Sequence, residues 1–483
     1  MKYLLQNIHK IAGTVLSLLF CMWFLSGFVM IYHPFPGAST DERLSKYDYL
    51  TPPAAELQTV WDSLGRVYSL SSYMDKPVFR AQKGTFDAAS LTPHQAPTID
   101  GKHIRAVANQ WCKADILKID TLTDIDQWIP TEGYLAQMPI YKFHFADKAK
   151  HQLYIDSKRG DVIQFTNCDN RFWAWLGAIP HWVYFTQLRR HSKVWFESVY
   201  WSSGIGSVMI IAGMYWGIRN ARLFWKRKRS ISPYKKRWIR WHHLFGLLFG
   251  IFIFTFAFSG MMSMANTSKW FKMTETDTKA TRAIIKAPTA KDFKLDYRKV
   301  IAAHPNKIRQ MTWRNFANHT FYHLTCDGET LYIDASTNDK VEPLNISEAE
   351  ITALIRSVHG TDAKLTTEWL QQYDTYYVKD HGDKVPLGLP VYKISVDNNE
   401  NSCYYINPTT GHFRHINDAA RYRHWLYPGL HTLRFGFLVN RPWLWTVVMW
   451  TTLLGGTVVS ITGLYLSVRY LKRQTRNIKR KNK

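Results

Sequence analysis

Residues 241–264 read WHHLFGLLFGIFIFTFAFSGMMSM, without a single Asp, Glu, Lys or Arg. At about 1.5 Å of rise per helical residue this stretch reaches about 36 Å, enough to cross a hydrocarbon layer about 30 Å thick. The segment just before it, 219–240, carries ten cations (Arg219, Arg222, Lys226, Arg227, Lys228, Arg229, Lys235, Lys236, Arg237 and Arg240) and no acid. An apolar helix that abuts a purely basic loop is the positive-inside pattern, which places this loop in the cytoplasm.

Three further stretches lack charge: 11–31, 198–218 and 443–468. The first runs on to Ile31 without a small-residue cleavage site, so it is expected to stay as a helix rather than be removed as a signal. The tail 469–483 adds eight cations, and Lys2 and Lys10 add two more. Setting aside these 20 of the 62 basic residues leaves 42 against 37 acids, so most of the net charge of +25 belongs to short segments beside apolar helices. That location argues for membrane lipid, and against nucleic acid, as partner of the basic runs. With 46% apolar and 15% aromatic residues, the chain is also far from a disordered composition.

The expected organisation is a membrane helix over 1–32, an outer domain over 33–194, and a second helix over 195–219. The basic loop 220–240, a third helix over 241–264, a second outer domain over 265–442, a fourth helix over 443–468 and the basic tail 469–483 follow. Both termini are then cytoplasmic and both large loops periplasmic, in a bacterial inner membrane.

The chain also repeats itself. His9, Gly13, Ser26 and Gly27 recur as His242, Gly246, Ser259 and Gly260, an offset of 233. Arg171, Trp175, Leu176, His181, Phe185, Leu188, Trp195, Gly213, Tyr215 and Arg219 recur as Arg421, Trp425, Leu426, His431, Phe435, Leu438, Trp445, Gly463, Tyr465 and Arg469, an ungapped offset of 250. In the loops, Pro139-Ile140-Tyr141-Lys142 and Tyr154-Ile155-Asp156 to Gly160 return 251 residues later as Pro390-Val391-Tyr392-Lys393 and Tyr405-Ile406-Asn407 to Gly411. Each reads as a hairpin-like unit of alternating strands closed by a glycine turn. Weaker units are expected near Pro77 to Gly101 and Met311 to Ala335, with a helix around Ile351 to Val358. The fold class is therefore membrane α+β: a four-helix transmembrane bundle made of two homologous halves, each with an extracytoplasmic α+β domain.

These repeated units resemble PepSY domains, and the His-led helices resemble the PepSY-associated transmembrane family. The matching motifs are Tyr154-Ile155-Asp156, Tyr405-Ile406-Asn407-Pro408, Tyr373-Asp374-Thr375-Tyr376-Tyr377, Leu389-Pro390-Val391, and His424-Trp425-Leu426-Tyr427 through Gly429-Leu430-His431 to Arg441-Pro442. The segments around 33–75 and 265–300 match weakly. The resemblance implies iron uptake, since part of the family consists of ferric-siderophore reductases that carry b-type haem on helix histidines. Other members have no assigned activity.

Of the nineteen histidines, position singles out four. His9 and His242 occupy equivalent cytoplasmic helix ends, and His181 and His431 equivalent outer positions. A low-spin b haem takes one axial imidazole on each face of the porphyrin, so one His from each half completes a site, and two pairs make two haems. Gly13 and Gly246, one turn beyond their histidines, would let a flat macrocycle approach. The ordinary alternative is a headgroup-level His bonded to lipid or water. His243, His424, His33 and His191 are secondary candidates: Ala174 stands opposite His424, and Asn266 opposite His33. The outer pair lies fourteen residues before Trp195 and Trp445. An elbow at Gly177, Pro180, Pro428 or Gly429 must therefore bring it back. The tryptophans nearby suit an interfacial belt or a cofactor pocket.

Of the five cysteines, Cys112, Cys168, Cys326 and Cys403 lie outside the helices and permit two disulfides in an oxidising compartment; Cys21 is in the first helix. C-x-x-C-H and C-x-x-C are absent, as are a phosphate-binding loop, a dinucleotide fingerprint, H-E-x-x-H and G-x-S-x-G. With no nicotinamide or flavin motif, electrons would come from quinol or a cytoplasmic flavoprotein. The functional expectation is a haem-dependent carrier that reduces a ferric chelate or siderophore at the outer face. The alternatives are a non-catalytic sensor or peptidase-modulating protein, and an iron or haem permease.

Overall fold

The structure is a computed structural model that describes residues 2–73, 76–93, 101–158, 160–228, 230–265, 284, 287–337, 340–378 and 387–481; Arg229 and Asn266 lie outside them. Its four longest helices are α1 (Lys2–Tyr32), α2 (Ser192–Lys228), α3 (Arg237–Ala265) and α4 (Pro442–Lys481). Three are long and apolar enough to cross a membrane, over Tyr3–Tyr32, Arg237–Met264 and Pro442–Lys479. The helix α2 is long but less apolar, because Ser202, Ser203, Gly204, Gly206 and Ser207 dilute it. Those small residues serve packing: a Cβ on Gly206 would stand 2.7 Å from the Phe20 ring of α1, and one on Gly204 would stand 3.1 Å from Met261 Sδ of α3. Helices that approach this closely gain dispersion contacts rather than hydropathy.

Each of the four helices packs against two of the others, α1 and α3 both touching α2 and α4. Leu16, Phe20 and Phe24 meet Met209, Ile210, Ile253, Ala257, Met449 and Leu453 in their common core. The outward faces are apolar as well, with Val15 74% and Leu248 67% exposed. A helix that is apolar all round needs an apolar surrounding, and this chain is a membrane-associated α+β protein.

Among the described residues the strands form three antiparallel sheets. The strands β4 (Ile116–Leu122), β5 (Ile140–Phe145), β6 (Gln152–Asp156) and β7 (Val162–Thr166) make one four-stranded meander. The strands β11 (Leu365–Leu370), β12 (Val391–Val396), β13 (Cys403–Ile406) and β14 (Phe413–Ile416) make another. Their registers match: Tyr141 lies opposite Ile155, and Tyr392 opposite Ile406. Half-buried carboxylates hold both units alike. Asp126 accepts from Tyr154 Oη at 2.7 Å and pairs with Lys142 at 2.7 Å, while Asp374 accepts from Tyr405 Oη at 2.7 Å and pairs with Lys393 at 3.5 Å. The helix expected around Ile351–Val358 runs from Glu348 to His359, started by a reciprocal Ser347–Glu350 cap.

The third sheet departs from the expectation of one self-contained domain per loop. Its order is β10-β9-β8-β1-β2-β3, joining β1 (Val67–Tyr73), β2 (Lys76–Ala81) and β3 (Gly84–Asp87) to β8 (Ile308–Phe316), β9 (His319–Cys326) and β10 (Thr330–Asp334). The seam is the β1–β8 pair, with Ser69 opposite Thr312 and Leu70 opposite Met311. Neither three-stranded piece can bury its apolar face alone. Together they enclose Val60, Leu64, Leu70, Phe79, Tyr297, Val300, Met311, Trp313 and Tyr322, all at most 4% exposed. The possible disulfides do not form: all five cysteines are free thiols.

Candidate functional site: two facing histidine pairs

His9 on α1 and His242 on α3 face each other with ring centroids 6.0 Å apart. His181 and His431, on the short helices Ala178–Trp182 and Leu430–Thr432, stand 6.1 Å apart. Two imidazoles that bind one metal at roughly 2 Å each, with about 1.1 Å more from nitrogen to ring centre, have centroids about 6 Å apart. Both pairs have that spacing.

Their hydrogen bonds settle which nitrogen carries the proton. The Nδ1–H of His9 donates to the Met209 carbonyl at 3.0 Å, and that of His242 to the Val459 carbonyl at 3.1 Å. Ser26 Oγ donates its own proton to the Trp23 carbonyl, so it accepts from His181 Nδ1 at 3.1 Å. Ser259 Oγ likewise donates to the Phe256 carbonyl and accepts from His431 Nδ1 at 3.0 Å. All four rings therefore hold the proton on Nδ1, which makes Nε2 the atom through which such a ring could bind a metal. Burial pushes the His181 imidazole down to about 4, so it is neutral at physiological pH. The supporting residues repeat at the same offsets as the histidines: Ser26 and Ser259 differ by 233, Met209 and Val459 by 250.

Each pair borders a cavity. One of about 420 Å³ is lined by His181, His431, Trp182, Tyr184, Tyr427 and Arg434 among others. The other, of about 330 Å³, contains His9, His242, Gly13 and Gly246 in its wall. Both lie in the size range of cofactor sites, roughly 300–1,000 Å³. Phe20 and Ile253 line both cavities, so a single layer of side chains separates the two. A Cβ on Gly246 would meet nothing within 4 Å, which leaves the open space there that a flat ligand needs.

The elbow that returns the outer pair has a definite construction. The chain turns through left-handed residues Val183 (φ 54°) and Leu433 (φ 52°), 250 apart. Trp195 Nε1–H then donates to the Trp182 carbonyl at 2.9 Å, and Trp445 Nε1–H to the Thr432 carbonyl at 2.8 Å. These two tryptophans fasten the turn to the long helices. Gly177 permits α1 to pass close by, since a Cβ there would stand 2.8 Å from Val29.

The secondary histidines are otherwise occupied. His243 borders the inner cavity, but its Nδ1 meets Ser232 Oγ and its Nε2 the Gly217 carbonyl, so it secures the basic loop to α2. His33 stacks on Trp173 at 4.2 Å, His424 Nε2 meets the Arg434 carbonyl at 2.9 Å, and His191 is exposed beyond either cavity lining. Sequence reasoning did not assign the roles of Ser26, Ser259, Thr462, Gly213 and Gly463. Thr462 Oγ1 adds a second acceptor for His242 at 3.1 Å, while Gly213 and Gly463 give His9 and His242 room to lie against α2 and α4. A signal was present for four of them, because the two serines and two glycines recur with the histidines; Met209 and Val459 act through backbone carbonyls and left none.

No curated protein and no solved structure matches the chain. The motifs from Tyr373 to Pro442, and His431 with them, lie past the end of the family match, whereas His9, His181 and His242 fall inside it. That match covers residues 6–371 of the 483 and is to the PepSY-associated TM region, and the chain belongs to this family.

Proposed function

We propose that the protein is a b-haem electron carrier of the bacterial inner membrane that reduces a siderophore-type ferric chelate at the periplasmic face. The observation that carries this reading is the pair of imidazole couples at 6.0 and 6.1 Å, each bordering its own cavity. In this reading all four long helices cross the bilayer as two homologous halves, with both termini and the basic loop cytoplasmic. Three apolar helices and the packing of α2 against two of them support it.

His9 and His242 would hold one haem near the cytoplasmic face, and His181 and His431 the second near the outer face. Bound haem would supply one-electron Fe(III)/Fe(II) chemistry at each pair. The residues of this chain orient the ligands. The Met209 and Val459 carbonyls and the Ser26 and Ser259 hydroxyls fix the rings and raise their basicity. Phe20 and Ile253 form the thin partition that an electron would have to cross between the two sites. Quinol or a cytoplasmic flavoprotein is the proposed donor. Fe(III) in a hard-oxygen chelate is held far more tightly than Fe(II), so one electron delivered outside loosens the metal.

The test is a reduced-minus-oxidised visible spectrum of the detergent-purified protein, followed by mixing the reduced protein with a ferric chelate. A b-type difference band that the chelate discharges is expected. A protein with no such band, or with an unchanged band after replacement of both His9 and His181 by Ala, would end the proposal.

A further inference from the structure

We propose that Cys112, Asp147 and His151 form a binding site for a borderline-soft divalent metal ion, Zn²⁺ by preference, separate from the histidine pairs and independent of the haem reading. Cys112 follows the helix Gly101–Trp111, while Asp147 and His151 flank the turn between β5 and β6. One donor atom from each lies within 4.8 Å of the other two. All three are half-buried, sheltered yet within reach of an ion.

The donor set is informative. A thiolate, an imidazole and a carboxylate with one position left open is a combination suited to Zn²⁺. The site is already ordered. Asp147 accepts the backbone N–H groups of Ala149 and His151 at 3.0 and 2.9 Å, and its Oδ2 meets His151 Nδ1 at 2.7 Å. His151 is stacked flat on Phe165 at 4.7 Å. Tetrahedral ligands about 2.05 Å from a metal sit about 3.3 Å apart. The ion would take the place of the Nδ1 proton between His151 and Asp147, which moves to His151 Nε2, would part the two by about 0.6 Å, and would draw the thiol in as thiolate with release of its proton to water.

The second meander supplies an internal control. At the offset of 251, Asp147 and His151 become Asn398 and Ser402. The turn is otherwise the same. Lys150 N–H donates to Asp147 O and Asn401 N–H to Asn398 O, at 3.0 and 3.1 Å. The left-handed residues Lys150 and Asn401 have φ 48° and 49°. Cys112 N–H closes its helix onto Ala108 O as Gly360 N–H closes the corresponding helix onto Arg356 O. The turn thus forms with Asn398 and Ser402 in place of Asp147 and His151, and its helix closes at Gly360 where the first copy has Cys112, so folding alone does not call for these three ligands in the first copy.

The experiment measures alkylation of Cys112 in the full-length purified protein, peptide by peptide, with and without micromolar Zn²⁺. Zn²⁺ is expected to slow Cys112 at least tenfold and to leave the exposed Cys168 unchanged. The double variant D147N/H151S carries the residues of the second meander and should keep its fold, shown by an unaltered Cys168 rate, while losing the protection. Equal rates with and without Zn²⁺ in the wild type, or protection undiminished in D147N/H151S, would overturn the proposal.

Discussion

Gly213 lies so close to His9 that a Cβ there would stand 2.4 Å from the imidazole ring, well inside contact distance. Its counterpart Gly463 stands off further, at 3.3 Å from His242 Cε1. On the proposed haem reading, Gly213→Ala is therefore expected to displace the His9 ring and abolish the inner haem band while leaving the outer one. Gly463→Ala, at a distance a small shift can absorb, should weaken the band rather than remove it. The two variants are compared by difference spectra and haem content, and equal effects would show that ring placement does not depend on this clearance.

Ser26 and Ser259 accept the Nδ1 protons of His181 and His431 at 3.1 and 3.0 Å. Removing an outer-shell partner of a metal-bound imidazole typically costs about 10- to 100-fold in affinity. On the same haem reading, Ser26→Ala and Ser259→Ala should each reduce retention of the outer haem by that order, with the inner pair unaffected, as read by haem loss to a competing apo-globin. Loss from the inner site instead would contradict the assignment of these serines.

The β1–β8 seam joins the two long loops in one sheet, with Leu70 fully buried opposite Met311. Leu70→Ala should destabilise the six-stranded sheet by about 2–5 kcal/mol. Because the sheet is shared, limited proteolysis should open sites in both loops together. Cleavage confined to residues 33–194 would show that the halves unfold separately.

His323 on β9 bonds Thr312 and stacks on Tyr332, and burial holds its imidazole down at about 4. A folded value below the unfolded 6.5 means that the unfolded chain binds the extra proton. Stability is then fully present above pH 6.5 and is lost as the pH falls towards 4, by about 2 kcal/mol at pH 5. Melting of the wild type should fall between pH 7 and 5 more steeply than that of His323→Gln. Parallel pH profiles would remove His323 as the cause.

The chain's own residues determine much of this. Runs without charge mark the membrane helices, because hydrocarbon cannot solvate ions. Basic segments flank them, and offsets of 233 and 250 set His9, His181, His242 and His431 apart among nineteen histidines. Alternation around Tyr154 and Tyr405 marks the meanders. Other features only the tertiary structure decided. That β1 joins β8 depends on two incomplete apolar faces meeting in space, and no local pattern encodes an edge partner. That the imidazoles stand 6.0 and 6.1 Å apart depends on helix crossing and on carbonyls at Met209 and Val459, whose side chains carry no trace of the role. His243 and His424 show the reverse: they are histidines like the chosen four, and their bonding partners reveal that the Nε2 of each is already engaged. Periodicity and charge are properties of a chain segment, but a site belongs to segments brought together by packing.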